Sequence, residues 1–220
     1  MILGPTIAER LNRARADLRM GVPVVLTGGG TGVLAVAAET LSPARLAALR
    51  VMGPLTLAIT ARRAETLKAR AYDGDVARTV VPGDADARWN AAVADPADDL
   101  NAPMKGPLLS GRDGDARLHR AATLLAKSAR LLPAVVILPV AEPLRIAGQE
   151  GLTLIDWDAA EAEMARLSDL HPVVSARVPM EAAEAGRLHV FRPEDGGEEH
   201  YAVEVGSPPR DRPVLVRLHS

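Results

Sequence analysis

The hydrophobic rhythm of this chain changes once, near His171, and that change bounds what it can fold into. Before it, short β-rich runs alternate with stretches of helical period. After it, only short alternating runs remain, parted by Gly and Pro turns such as Asp195-Gly196-Gly197. This pattern predicts an α/β (α+β) protein, a mixed sheet with flanking helices followed by a small antiparallel β segment. The expected division is a first domain over 1–170, a linker over 171–186 and a second, partial domain over 187–220.

Within the first part, Ile7, Leu11, Ala14 and Leu18 recur at helical spacing and Gly21 with Pro23 supplies a stop. The runs Val22–Leu26 and Val33–Ala38 read as strands on either side of a Gly-rich turn. Ser42 caps a helix with Pro43 at its first position. A strand over Leu55–Thr60 and a short helix over Arg62–Lys68 follow. The stretch 72–114 is rich in Asp, Gly, Pro and Ala, and predicts long connections with little regular structure. A helix over Ala116–Arg130 leads into the strand Ala134–Val140, and Asp158 with Glu161 suggests a capping box for a last helix reaching Leu170. With 48% hydrophobic residues, mostly Ala, Leu and Val, and only 2% aromatic, the core should be small and aliphatic.

A formal net charge of -2, with no block of like charge, gives no footprint for nucleic acid or an anionic membrane. No apolar run reaches the ~18 residues of a membrane span, and the N-terminus lacks a signal-peptide pattern, so a cytoplasmic location is expected. The absence of cysteine removes thiol nucleophiles and thiolate metal sites together.

Several residues invite a functional reading. Gly28-Gly29-Gly30-Thr31-Gly32 after an apolar strand could wrap a phosphate, yet no Lys-Ser or Lys-Thr follows it and the next segment reads as a strand, so a plain turn is favoured. The histidines at 119, 171, 189, 200 and 219 form no local metal pair, and His119, His189 and His200 read as surface or half-buried residues. Asp98-Asp99 and Glu198-Glu199 read as solvated loop carboxylates, and no Gly-x-Ser-x-Gly elbow is present. In the last run, Val214, Val216 and Leu218 would face one way on a strand while Leu215, Arg217 and His219 face the other. A strand left at the end of a chain reads as a sheet cut short.

The segments HPVVSARVP, LHVFRPEDGGEEHYAVEVG and PVLVRLHS together resemble the beginning of GTP cyclohydrolase II, whose strand ends in Arg-Val-His-Ser before a zinc-ligand Cys. The resemblance implies substrate-site positions for GTP at Arg217, Leu218, His219 and Ser220. It carries over no zinc ligand, so zinc is expected only in a full-length parent and no cofactor in this chain, and any GTP affinity here should be weak or absent. The preceding ~165 residues, through ADLRMGVPVVL, VLAVAAETLSPARLAALR, LTLAITARRAETL and LLPAVVIL, resemble 3,4-dihydroxy-2-butanone 4-phosphate synthase, which implies a homodimer. That family's acidic magnesium loop falls on Thr27–Thr31, its ligand His on Leu118, or on His119 if the alignment slips by one, and its late-strand Glu on Pro139. Magnesium needs carboxylate oxygens and proton abstraction needs a base, and these positions supply neither.

Three functions compete. The chain is the front of a GTP cyclohydrolase II polypeptide with a degenerate synthase-like scaffold, or a non-catalytic regulatory or dimerisation module, or a synthase with a displaced active site.

Overall fold

The computed structural model describes residues 3–166, 169–181, 184–194, 196–209 and 211–219. The chain divides into two compact units, Met1–Ala165 and Arg166–Ser220.

The first unit opens with α1 (Ile7–Arg19), whose start is a capping box: Glu9 N–H donates to Thr6 Oγ1, and the Thr6 N–H donates to the Glu9 carboxylate at 2.7 Å. Gly21 ends it with φ +70, in close approach to the Thr40 carbonyl. Strands β1 (Val24–Gly28) and β2 (Thr31–Ala37) form a hairpin. Helix α2 (Pro43–Met52) starts on Ser42 as the spacing predicts, its hydroxyl accepting from the Arg45 N–H. Then come β3 (Thr56–Thr60), α3 (Ala61–Thr66), β4 (Val76–Val80), α4 (Ala87–Ala94) and a 3-10 turn over Pro96–Asp98. Helix α5 (Arg117–Ser128), β5 (Ala134–Pro139), α6 (Pro143–Glu150), β6 (Leu154–Asp156) and α7 (Trp157–Ala165) complete the unit.

Its six strands run in the order β4-β3-β5-β2-β1-β6. All neighbours are antiparallel except β1 and β6, which pair in parallel. The strands read as near-continuous apolar runs because helices cover both faces. On one face Leu26, Ala35, Ala58, Val135 and Ile137 pack with Leu11, Ala14 and Leu18 of α1, Ala121 and Leu125 of α5, and Trp157 of α7. On the other, Val25, Leu34, Leu57, Ile59 and Val136 pack with Leu46 and Leu49 of α2, Ala64 of α3, Val93 of α4 and Ala147 of α6.

Three expectations are corrected here. The stretch 72–114 contains β4 and α4 instead of connections alone. Arg78 interrupts the apolar pattern of β4, yet it is buried, its guanidinium donating to Asp73 and to the carbonyls of Asp113 and Gly114. The last helix starts two residues earlier and stops at Ala165, with the Asp158 N–H donating to Asp156; Asp158 and Glu161 are otherwise engaged. The segment expected as a linker over 171–186 contains most of β7 (Leu170–Arg177), which pairs with β8 (Arg187–Pro193).

The second unit is the antiparallel sheet β7-β8-β9, with β9 spanning His200–Glu204. Residues 213–219 alternate as a strand should, but no described residue pairs with them and they form none. Alternation sets the side-chain period, whereas a strand also needs a neighbour to take its backbone hydrogen bonds. Among the described residues, no helix is long and apolar enough to cross a membrane.

Candidate functional site

The Gly-rich segment is the two-residue turn of the β1–β2 hairpin. Gly28 pairs with Thr31, and Gly29 and Gly30 take φ of +56 and +76. Such a turn requires positive φ at both central residues, which accounts for the glycines without a phosphate. At this end of the sheet three elements converge. A Cβ on Gly28 would lie 3.3 Å from Leu118 Cδ2 at the start of α5, and 3.5 Å from Trp157 at the start of α7. Pro139, at the end of β5, pairs with Val33 just past the hairpin. The fold thus brings Gly28, Leu118 and Pro139 to one corner, and none offers a carboxylate or an imidazole.

The corner is held by an ion-pair lock. Asp158 accepts the Gly29 N–H at 3.1 Å and pairs with Arg117 through its other oxygen. A second nitrogen of Arg117 donates to Glu161 at 2.7 Å. The Gly29 N–H, and after it Arg117, lower the pKa of Asp158; Arg117 lowers that of Glu161. Hydrogen bonds to Glu161 and Asp158 raise that of Arg117 in turn. A raised pKa makes a carboxylate a stronger base, and both shifts run the other way. The sequence named Asp158 and Glu161 only as helix caps. Arg117, the residue that joins them, carried no local signal.

His119 lies next to Leu118 in sequence, but its ring belongs to the interior. Its Nε2 meets Thr56 Oγ1 on β3 at 3.2 Å, and its buried Nδ1 has no partner among the described residues. Burial, with a contribution from Arg78, lowers its pKa to about 4. A surface or half-buried histidine was expected, and the residue is buried at 8% exposure.

Asp99, read as a solvated carboxylate, sits between two buried cations. Arg63 donates to both of its oxygens, at 2.6 and 2.7 Å, and Lys105 pairs with it as well. These hydrogen bonds, that of Arg63 first, hold its pKa far below the usual carboxylate range. Arg63 also donates to the carbonyls of Ala92, Val93 and Asp95, which lie at the C-terminal end of α4. The cluster closes the loop after α4 by its own bonds.

Arg217, Leu218 and His219 are exposed, within the unpaired stretch 213–219, and Ser220 lies outside the described residues. Among the described residues no group of three His, Cys, Asp or Glu could hold a metal. With no cysteine and no acid at Gly28, Leu118 or Pro139, these residues fit neither a thiolate zinc nor the magnesium of a synthase.

No family model matches the chain. It is 35% identical over 219 residues to GTP cyclohydrolase-2 of Azospirillum brasilense, covering 96% of this chain and 57% of the relative. The chain therefore spans a little more than half of that relative's length. Its structure is similar to the cation-free form of 3,4-dihydroxy-2-butanone 4-phosphate synthase, with a TM-score of 0.53 and 16% identity over 70% of this chain and 97% of the other. The synthase of Candida albicans gives a TM-score of 0.52 and 15% identity over 71% and 97%. At such identities the likeness establishes the fold.

Proposed function

Because this chain is a relative of GTP cyclohydrolase-2 along 96% of its length and carries the butanone phosphate synthase fold, we propose that it supplies the synthase-like region of a GTP cyclohydrolase II-type riboflavin-pathway protein. In this reading the first unit is a non-catalytic scaffold, and Arg217 and His219 belong to a GTP site completed by chain beyond this one. The whole protein would release formate and pyrophosphate from GTP with a zinc that this chain cannot hold. Arg217 would pair with phosphate oxygens and His219 would donate a hydrogen bond.

The observation that carries the scaffold reading is the corner at Gly28, Leu118 and Pro139. The positions onto which the resemblance carries the metal loop, the ligand His and the late-strand Glu are neutral here, and Arg117, Asp158 and Glu161 are tied to one another. Nothing there is poised to take a proton. The test is incubation of the purified chain with ribulose 5-phosphate and magnesium. Formate should stay at the level of a blank without protein, and formate with butanone phosphate above that blank would overturn the reading.

A further inference from the structure

Helices α2 and α6 leave between them a cavity of about 570 Å³, within the size range of small-molecule sites. It lies on the sheet face opposite α1, α5 and α7 and shares no lining residue with the hairpin corner. Its lining includes the apolar side chains of Leu34, Leu49, Ile146 and Leu152. Arg45 and Arg145 also line it together with one carboxylate, Glu150, and a second carboxylate, Glu142, pairs with Arg145 from outside the lining.

Each arginine is held through only part of its guanidinium. Arg45 donates through one nitrogen to the Met20 carbonyl at 3.1 Å. Arg145 donates through Nε to Glu142 at 2.8 Å and through one Nη to Gln149 at 2.5 Å. Each guanidinium has five N–H donors, so each keeps some that no described bond claims. Ala48 lines the cavity and is itself exposed, which opens it to solvent along the uncharged outer face of α2.

We propose that this cavity is a binding site for a small amphipathic anion. Its apolar body rests on Leu34, Leu49, Ile146 and Leu152, and its carboxylate, sulfonate or phosphate group is taken by Arg45 and Arg145. The guanidinium donors left over by these bonds select an anion over a cation, and the apolar lining selects a ligand with a hydrocarbon or aromatic body over a bare inorganic ion. The site is independent of the scaffold reading and would give that scaffold a ligand of its own.

The test uses 8-anilinonaphthalene-1-sulfonate, titrated into the full chain with methyl NMR as the readout. The methyls of Leu49 and Ile146 should shift saturably. Ala48→Phe, which fills the mouth from an exposed position, should abolish those shifts while leaving the rest of the spectrum in place. Replacing both arginines with glutamine should weaken the sulfonate at least tenfold and leave the uncharged N-phenyl-1-naphthylamine within about twofold. Absence of saturable shifts at Leu49 and Ile146, or their persistence in Ala48→Phe, would overturn the site. Equal sulfonate binding by the arginine variant would overturn the anion. Conversion of a dimer to a monomer by Ala48→Phe, without probe binding in the wild type, would assign the cavity to a contact between copies and overturn the proposal too.

Discussion

Lowering the pH from 7 to 5 should weaken the first unit through His119. The imidazole is neutral and buried, bonded at Nε2 to Thr56 and unpartnered at Nδ1 among the described residues, and its pKa is about 4 against an ordinary 6.5. Burial is the larger cause and the charge of Arg78 the next, with Asp73 and Asp115 opposing them. The folded state therefore binds this proton more weakly than the unfolded one. Stability is complete above pH 6.5, is lost as pH falls, and levels off below about 4. At pH 5 the two pKa values favour the unfolded state by a factor of about 30, or about 2 kcal/mol, toward a ceiling of about 3 kcal/mol at lower pH. Both tryptophans, Trp89 and Trp157, lie in this unit, so their fluorescence during urea unfolding reports on it alone. His119→Gln keeps an amide to meet Thr56 and removes the titration. If wild type and variant lose the same stability between pH 7 and 5, to within about 0.5 kcal/mol, the reasoning fails.

Arg63→Met should destabilise the same unit by about 3 kcal/mol in urea unfolding, because it unties the carbonyls of Ala92, Val93 and Asp95 and leaves Asp99 only Lys105 as a partner. Gly21→Ala should cost about 1 to 3 kcal/mol, since a Cβ there would sit 2.2 Å from the Thr40 carbonyl oxygen at a φ of +70. A loss below about 0.5 kcal/mol would show that the turn gives way freely. In the full-length protein, Arg217→Ala should lower kcat/KM by about 2 to 4 kcal/mol of transition-state stabilisation. If Arg217→Ala and His219→Ala both stay within about twofold of wild type, the assignment of these residues to the GTP site is wrong.

The pattern of apolar residues was enough to place α1, β1, β2, α2, β3, α5 and β5, because helix and strand periods are imposed by backbone geometry within a few residues. The glycines of the hairpin and of the α1 stop were equally legible, since positive φ is a local demand. The absence of cysteine ruled out thiolate zinc outright. What the periods could not show was the fate of charged residues. The stretch that holds β4 and Arg78 read as connections, Asp99 read as a solvated carboxylate, and Arg63 and Arg117 carried no local signal. Their roles rest on partners remote in sequence: Arg63 and Asp99 are 36 residues apart, and Arg117 and Asp158 are 41. No local window contains such a pair, and a charge can be buried only where the fold brings its counter-charge to it. The same limit explains β7 and residues 213–219, which alternate alike. Only a neighbouring strand to accept and donate backbone hydrogen bonds turns alternation into a sheet, and among the described residues tertiary structure supplies that neighbour to the first and not to the second.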